Sequence, residues 1–162
     1  MILLHGISYG LALDMSSACD VRLCTKDVRL AVKEVDIGLA ADIGTLTRLP
    51  KVVGNISWVK EVAYTARDFG ADEALRVGFV SGVAANKEEG KKLALGICKK
   101  IAEKSPVAVL GTKEIINYSR DHTIDSGLRY TAIWNSGMVQ TEDVKSAMLS
   151  GLQKKKPTFS KL

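Results

Sequence analysis

Apolar and polar positions follow two periods along this chain, and the change from one to the other divides it. Residues 1 to 5 carry the short apolar run of a buried strand, broken at Gly6 and Gly10, and Leu11 to Cys19 follows with helix-forming residues and a single acid, Asp14. Val21 to Cys24 and Val28 to Val32 alternate as strands do, on either side of the turn-like pair Lys26-Asp27. From Glu34 to Thr45 the pattern dissolves into Gly, Ala and Asp, which predicts a shaped loop. Beyond Pro50 the period becomes helical over Ser57 to Ala66 and Asp72 to Val77, with Gly78 suited to a left-handed helix end and a return to strand over Phe79 to Val83.

The second half reads as almost wholly α. Asn86 and Glu89 have the spacing of a capping box, and the helix behind them aligns Leu93, Ile97 and Ile101 on one stripe while its lysines largely face elsewhere. Ser105-Pro106 offers an N-cap with proline at the first helical position, and further helices are expected near 106–118, 124–139 and 142–151. The shift near residue 85 predicts an α/β part over 1–85, a helical part over 86–152 and a basic tail over 153–162.

Length and composition fit one soluble domain: 162 residues, 46% hydrophobic and 25% charged. No segment approaches the roughly 18 apolar residues of a membrane span, and Met1 opens onto Ile2-Leu3-Leu4 without the flanks of a signal peptide. The chain reads as though it starts inside a fold. Of the net charge of +5, four charges sit on Lys154, Lys155, Lys156 and Lys161, so the body is near neutral and no nucleic-acid partner is expected. Cys19, Cys24 and Cys98, odd in number and without zinc or CxxC spacing, point to reduced thiols in an intracellular compartment.

Residue chemistry removes several site types. His5 and His122 are the only histidines, there is no metal-ligand pair, no phosphate-cradling glycine loop and no GxSxG elbow. What remains is acid in apolar surroundings: Asp14 within Leu11-Ala12-Leu13-Asp14-Met15, Glu34 at a strand end, and Asp42 within Gly38-Leu39-Ala40-Ala41-Asp42-Ile43-Gly44. A carboxylate stripped of water holds its proton more tightly, which suits proton exchange with carbon near neutral pH. Each acid also has a purely structural alternative: Asp14 on a solvent-facing side of a helix, Glu34 paired with Lys33 or Arg29, and Asp42 capping a helix that starts near Gly44.

The run from Lys33 to Gly54, in which KEVD, GLAAD, GTL and RLPK follow one another, resembles the crotonase (enoyl-CoA hydratase/isomerase) superfamily and, within it, the Δ3,5-Δ2,4-dienoyl-CoA isomerases. The resemblance continues through Ala18-Cys19-Asp20-Val21-Arg22, Thr65-Ala66-Arg67, Lys104-Ser105-Pro106 and Tyr118-Ser119-Arg120-Asp121-His122. It covers essentially the whole chain but only the C-terminal part of the family's catalytic unit. The fold it implies is α/β: a partial crotonase fold, with an incomplete ββα spiral core followed by a C-terminal helical region.

The resemblance places the family's active-site carboxylates on Asp14, Glu34 and Asp42. Glu34 and Asp42 are then the proton-transfer pair, Glu34 at C2 and Asp42 at C6 of a 3,5-dienoyl-CoA, with the reverse assignment as the alternative, and Asp14 orients the pair. An acid at position 42 separates this chemistry from that of the hydratases and simple enoyl-CoA isomerases. The thioester oxyanion requires preorganised N–H donors. Where the family carries a glycine triplet this chain has Gly10-Leu11-Ala12, so the donor is the N–H of Leu11, and a positive φ there would be costly. The family's second donor and much of its CoA cradle come from a segment upstream of anything in this sequence. No cofactor is implied beyond the CoA thioester substrate, no metal is required, and a homo-trimer or hexamer is implied for the full-length enzyme, with Trp134 and Met138 serving as either interface or core. The terminal Ser160-Lys161-Leu162 matches the peroxisomal address read by an import receptor. Two other readings stand beside this one: a general enoyl-CoA hydratase or Δ3,Δ2-enoyl-CoA isomerase, and a non-catalytic fragment.

Overall fold

The computed structural model describes residues 1–160; Lys161 and Leu162, and with them two thirds of the expected targeting signal, lie outside the described residues. The chain divides into two compact units, Met1–Gly96 and Ile97–Leu162.

In the first unit five short strands, β1 (Ile2–Leu4), β2 (Ile7–Tyr9), β3 (Arg22–Thr25), β4 (Arg29–Ala31) and β5 (Val83–Ala84), form two parallel sheets. One runs β1-β3-β5, with Leu3 opposite Leu23 and Cys24 opposite Val83; the other pairs β2 with β4, Ser8 opposite Leu30. Parallel pairing needs a crossover, and α1 (Leu11–Ala18) supplies it, entered at Gly10 directly after β2. Strand β2 was not expected. Its three residues lie between the interruptions at Gly6 and Gly10, a run too short for alternation to register. The expected strand over Phe79 to Val83 shrinks to Val83–Ala84, because the amides of Phe79 and Val80 both turn back to the Ala74 carbonyl at the end of α4 (Ala71–Arg76).

The expected loop from Glu34 to Thr45 opens with one 3-10 turn, Glu34–Ile37, closed by Gly38 in the left-handed region at φ 74°. Two helices follow, α2 (Thr45–Val53) and α3 (Ile56–Thr65), the latter capped by Asn55, whose side chain accepts from the Trp58 amide at 3.1 Å. Leu13, Leu30, Leu49, Val62 and Phe79 are fully buried between these helices and the strands, and Phe69 stands edge-on to both Trp58 and Phe79. Each such side chain contributes about 1.5–3 kcal/mol through removal from water. Helix α5 (Lys87–Ala102) starts at Asn86, whose side chain accepts from the Glu89 amide as the spacing predicts, and crosses close over β1 at buried Gly90, where a Cβ would stand 2.9 Å from Leu3.

The second unit holds the end of α5 with α6 (Pro106–Ser119), α7 (Ile124–Met138) and α8 (Glu142–Leu152). The last three lie within a residue of the expected ranges; Ser105 caps α6 as its sequence predicts, accepting from the amide three residues on, and Thr123 does the same for α7. Tyr118 stacks on Tyr130 at 4.0 Å, and His122 lies flat on Tyr118 with Nδ1 2.7 Å from that residue's carbonyl, a structural rather than ligating histidine. Among the described residues no apolar side chain beyond Ala84 is fully buried, and Trp134 and Met138 are half-buried. Pro157 and Phe159 of the tail line a groove with residues of α6, α7 and α8, and Lys156 pairs with Glu103 at 2.7 Å. Among the described residues no helix is long and apolar enough to cross a membrane.

Candidate active site

The site begins at the turn between β2 and α1. Gly10 has φ 51° and ψ −112°, a conformation an L-residue avoids, and its amide is tied to the Ala31 carbonyl of β4 at 3.0 Å. The left-handed position is therefore Gly10 and not Leu11, and the only non-glycine residues with positive φ among those described are Ala66 and Lys154. Leu11 itself is thus free of the costly positive φ. As the first residue of α1, Leu11 has an N–H with no partner within the helix, so it points outward as a donor.

Over this turn lies Glu34. Its Oε1 would be 3.2 Å from a Cβ on Gly10, and its Oε2 is buried without a hydrogen-bond partner. Neither Lys33 nor Arg29 pairs with it. Arg29 binds Asp68 at 2.5 Å, and Lys33 reaches Asp68 at 3.2 Å and the Ala66 carbonyl at 2.6 Å. The Tyr9 hydroxyl and these cations hold the Asp68 carboxyl down at about 2, the tyrosine hydrogen bond first among the causes. Glu34 is left facing the N-terminal turn of α1, where the helix dipole and unpaired amides favour negative charge.

Asp14 is 2% exposed, so it does not face solvent. Its Oδ1 accepts from both the backbone N–H and the hydroxyl of Thr45, each at 2.7 Å. Gly44, which precedes α2 at φ 125°, has no side chain with which to cap it, and Asp14 fills that role from α1. One turn further along both helices Arg48 Nε donates to Ser17 Oγ at 3.3 Å. The Arg48 guanidinium also covers Gly44 and donates to the Ile43 carbonyl at 3.0 Å. Positions 14 and 17 of α1 thus meet 45 and 48 of α2 in two matched rungs. Sequence reasoning singled out neither Thr45 nor Arg48; the equal i,i+3 spacing on the two helices was the available signal.

Asp42 differs from expectation. It is exposed in the loop before α2, makes no hydrogen bond or ion pair among the described residues, and does not cap α2. Buried Ala41 precedes it, and Ile43, Thr45 and Arg48 fix the backbone that follows. Along its own loop the neighbours form an apolar rim rather than an interior, since Ile37, Leu39, Ile43 and Leu46 are all exposed. Among the described residues no cluster of three or more His, Cys, Asp or Glu could hold a metal ion. Burial pushes the Cys24 thiol up to about 11, so it is no nucleophile at neutral pH.

A family model for enoyl-CoA hydratase/isomerase matches residues 3–161. The chain belongs to the enoyl-CoA hydratase/isomerase family. It is 49% identical to the mitochondrial Delta(3,5)-Delta(2,4)-dienoyl-CoA isomerase of Rattus norvegicus and 52% to that of Homo sapiens, in each case over 98% of this chain and 50% and 49% of the relative. With the peroxisomal Delta(3,5)-Delta(2,4)-dienoyl-CoA isomerase of Arabidopsis thaliana the identity is 42%, over 98% of this chain and 57% of that protein. The chain spans about half the length of the curated relatives it matches. A crystal structure of enoyl-CoA hydratase from Bacillus anthracis superposes with a TM-score of 0.90 at 28% identity, over 95% of this chain and 59% of that one. The small parallel sheets and the eight helices among the described residues are thus an α/β crotonase-like fold.

Proposed function

We propose that this chain carries the acid–base part of an active site that isomerises a 3,5-dienoyl-CoA to the 2,4-dienoyl-CoA in fatty-acid β-oxidation. The observation that carries the reading is the Glu34 carboxylate over the Gly10–Leu11 turn, with one oxygen buried and unpartnered beside the helix N-terminus. A thioester whose carbonyl oxygen accepts from the Leu11 N–H brings its C2 protons towards Glu34. The charge released at C2 spreads onto the thioester oxygen and along the diene to C6, where Asp42, unencumbered by any partner, delivers a proton it has taken from solvent; the proton held by Glu34 then passes to water, which restores both acids. Asp14 acts behind them, through the loop it anchors at Thr45. The apolar rim around Asp42 suits an acyl chain. No cofactor or metal takes part; the partner is the acyl-CoA substrate.

Two features favour isomerisation over hydration. Relatives named dienoyl-CoA isomerases reach about half identity, whereas the short-chain-enoyl-CoA hydratase of Clostridium acetobutylicum reaches 32%. The second is the acid at position 42. The test is turnover of a 3,5-dienoyl-CoA, followed by the absorbance of the conjugated product, in the chain and in Asp42→Asn. A loss of at least about 100-fold is expected; an undiminished rate overturns the proton-delivery role, and rapid hydration of crotonyl-CoA favours a hydratase.

The span of half the relatives' length favours a second reading, in which these residues need further elements to act and the chain alone is silent. Detectable turnover by the chain rejects it. The organisation proposed for this function is an acid-bearing α/β part over 1–85, an oligomerising helical part over 86–152 that covers its exposed apolar side chains in a homo-trimer or hexamer, and a tail over 153–162. Ser160-Lys161-Leu162 at the end of that tail supports peroxisomal import through a receptor, in keeping with the compartment named for the Arabidopsis relative, while the animal relatives are named mitochondrial. A fluorescent protein ending in this tail and expressed in cells distinguishes the compartments.

A further inference from the structure

We propose that Thr45 is a positioning residue that fixes which oxygen of Asp14 can carry a proton and holds the Asp42 loop in register with it. The proposal deepens the acid–base reading above and rests on it. Its basis is the paired donation to a single oxygen: the Thr45 N–H and O–H both end on Asp14 Oδ1 at 2.7 Å, and both residues are buried, at 1% and 2% exposure. Two donors on Oδ1 occupy that oxygen's acceptor capacity, so any proton on Asp14 sits on Oδ2. The two oxygens of a free carboxylate are equivalent; here Thr45 makes them different.

The same pair sets the loop. Thr45 is the first residue of α2, so its amide is one of the unpaired donors of that helix and favours a negative acceptor. Asp42 lies three residues earlier, and between them Gly44 adopts φ 125° and Ile43 gives its carbonyl to Arg48. With α2 tied to α1 at Thr45–Asp14 and Arg48–Ser17, the segment bearing Asp42 is anchored on the helix that begins at the Leu11 donor. The ionisable groups on the elements around α1 include Glu34 at its first turn, Tyr9 on β2, Arg48 and Lys51 on α2 with Asp42 ahead of it, and, at its last turn, Cys19, Asp20 and Arg22, the last donating to the Ser16 and Cys19 carbonyls. The hydrogen bonds that reach the Asp14 carboxylate come from Thr45.

The test is amide hydrogen exchange over residues 42–48, together with the carboxyl-carbon NMR signal of Asp14 at neutral pH, in the full chain carrying Thr45→Val, Thr45→Ser and Thr45→Ala. Valine keeps the volume and the backbone N–H but removes the O–H. Loss of that hydrogen bond is expected to speed exchange over this segment about tenfold and to move the Asp14 carboxyl signal. Serine restores the hydroxyl and is expected to return both readouts to wild type. Valine readouts equal to wild type, or serine readouts displaced as far as valine's, overturn the proposal. If valine does not fold, alanine, which lacks both the hydroxyl and the branched volume, is read against serine in the same way. In parallel, isomerase turnover is expected to fall in kcat with KM unchanged in Thr45→Val and to return in Thr45→Ser. A wild-type chain without turnover counts against the reading of function, while hydrogen exchange and the Asp14 carboxyl signal still decide the role of Thr45.

Discussion

Glu34 rests on Gly10: a Cβ on that glycine would stand 3.2 Å from Glu34 Oε1, at a residue whose φ of 51° and ψ of −112° already exclude ordinary side chains. The two residues are joined a second time through β4, because the Gly10 amide binds Ala31, three positions before Glu34. Gly10→Ala therefore adds backbone strain and displaces the carboxylate at once. A destabilisation of about 1–3 kcal/mol is expected in urea unfolding. Shortening the acid as well, in Gly10→Ala with Glu34→Asp, relieves the contact but not the strain, so only part of the loss should return.

Two glycines in the loop before α2 separate on the same grounds. Gly38 and Gly44 both have positive φ, 74° and 125°, but a Cβ on Gly38 meets nothing within 4 Å, whereas one on Gly44 would stand 2.4 Å from the Arg48 guanidinium. Gly38→Asn is expected to cost no more than about 1 kcal/mol, since asparagine tolerates the left-handed region. Gly44→Asn, in a conformation open to glycine and with Arg48 in the way, should cost more and speed amide exchange over 43–48. Thermal unfolding and hydrogen exchange on the two variants check the order.

The first unit carries an acid-sensitive brace. Glu73 takes two guanidinium contacts from Arg67, at 2.7 and 3.1 Å, and the Trp58 indole N–H at 2.7 Å. Chiefly through the Arg67 hydrogen bonds, its carboxyl is lowered from 4.5 to about 2. A depressed folded value stabilises the fold fully above the unfolded value, and that contribution is lost as pH falls from about 4.5 through 2. Glu73→Gln keeps an acceptor for Trp58 but removes the charge. It should be less stable than wild type at pH 7 by about 1 kcal/mol and lose less than wild type between pH 5 and 2.5, as read by urea unfolding on Trp58 fluorescence.

Much of the helical half was legible because its signals are local. Ser105-Pro106 and Asn86 mark helix starts by side chains that bond within three residues, and the structure uses both in that way. The acids themselves were legible as residue types in apolar company, and Asp14 is buried as that company suggests. What was not legible depends on pairing between distant segments. Strand β2 exists because Arg29 to Ala31 lies beside it, and the Asp14–Thr45 bond spans 31 positions. Asp42 misled because apolar neighbours in sequence, such as Ile43 at 59% exposure, are neighbours on a rim and not in a core.

Gly111 and Gly137 give opposite expectations within the helical unit. Both lie inside helices, where replacing glycine with alanine gains about 0.5–1 kcal/mol by restricting the unfolded chain if the space is free. At Gly137 on α7 a Cβ meets nothing within 4 Å, so Gly137→Ala should raise the unfolding temperature. At Gly111, buried on α6, a Cβ would stand 2.7 Å from Trp134 Nε1. The indole stands against the glycine with its buried N–H unpartnered, and Tyr130 lies 6.0 Å away at a tilt. Movement of Trp134 away from Gly111→Ala disturbs the packing of α6 on α7, and the backbone gain is outweighed. The unfolding temperature should fall, and the near-ultraviolet circular dichroism of Trp134 should change with it; an increase in stability at Gly111 equal to that at Gly137 would show that the two helices do not meet through this contact.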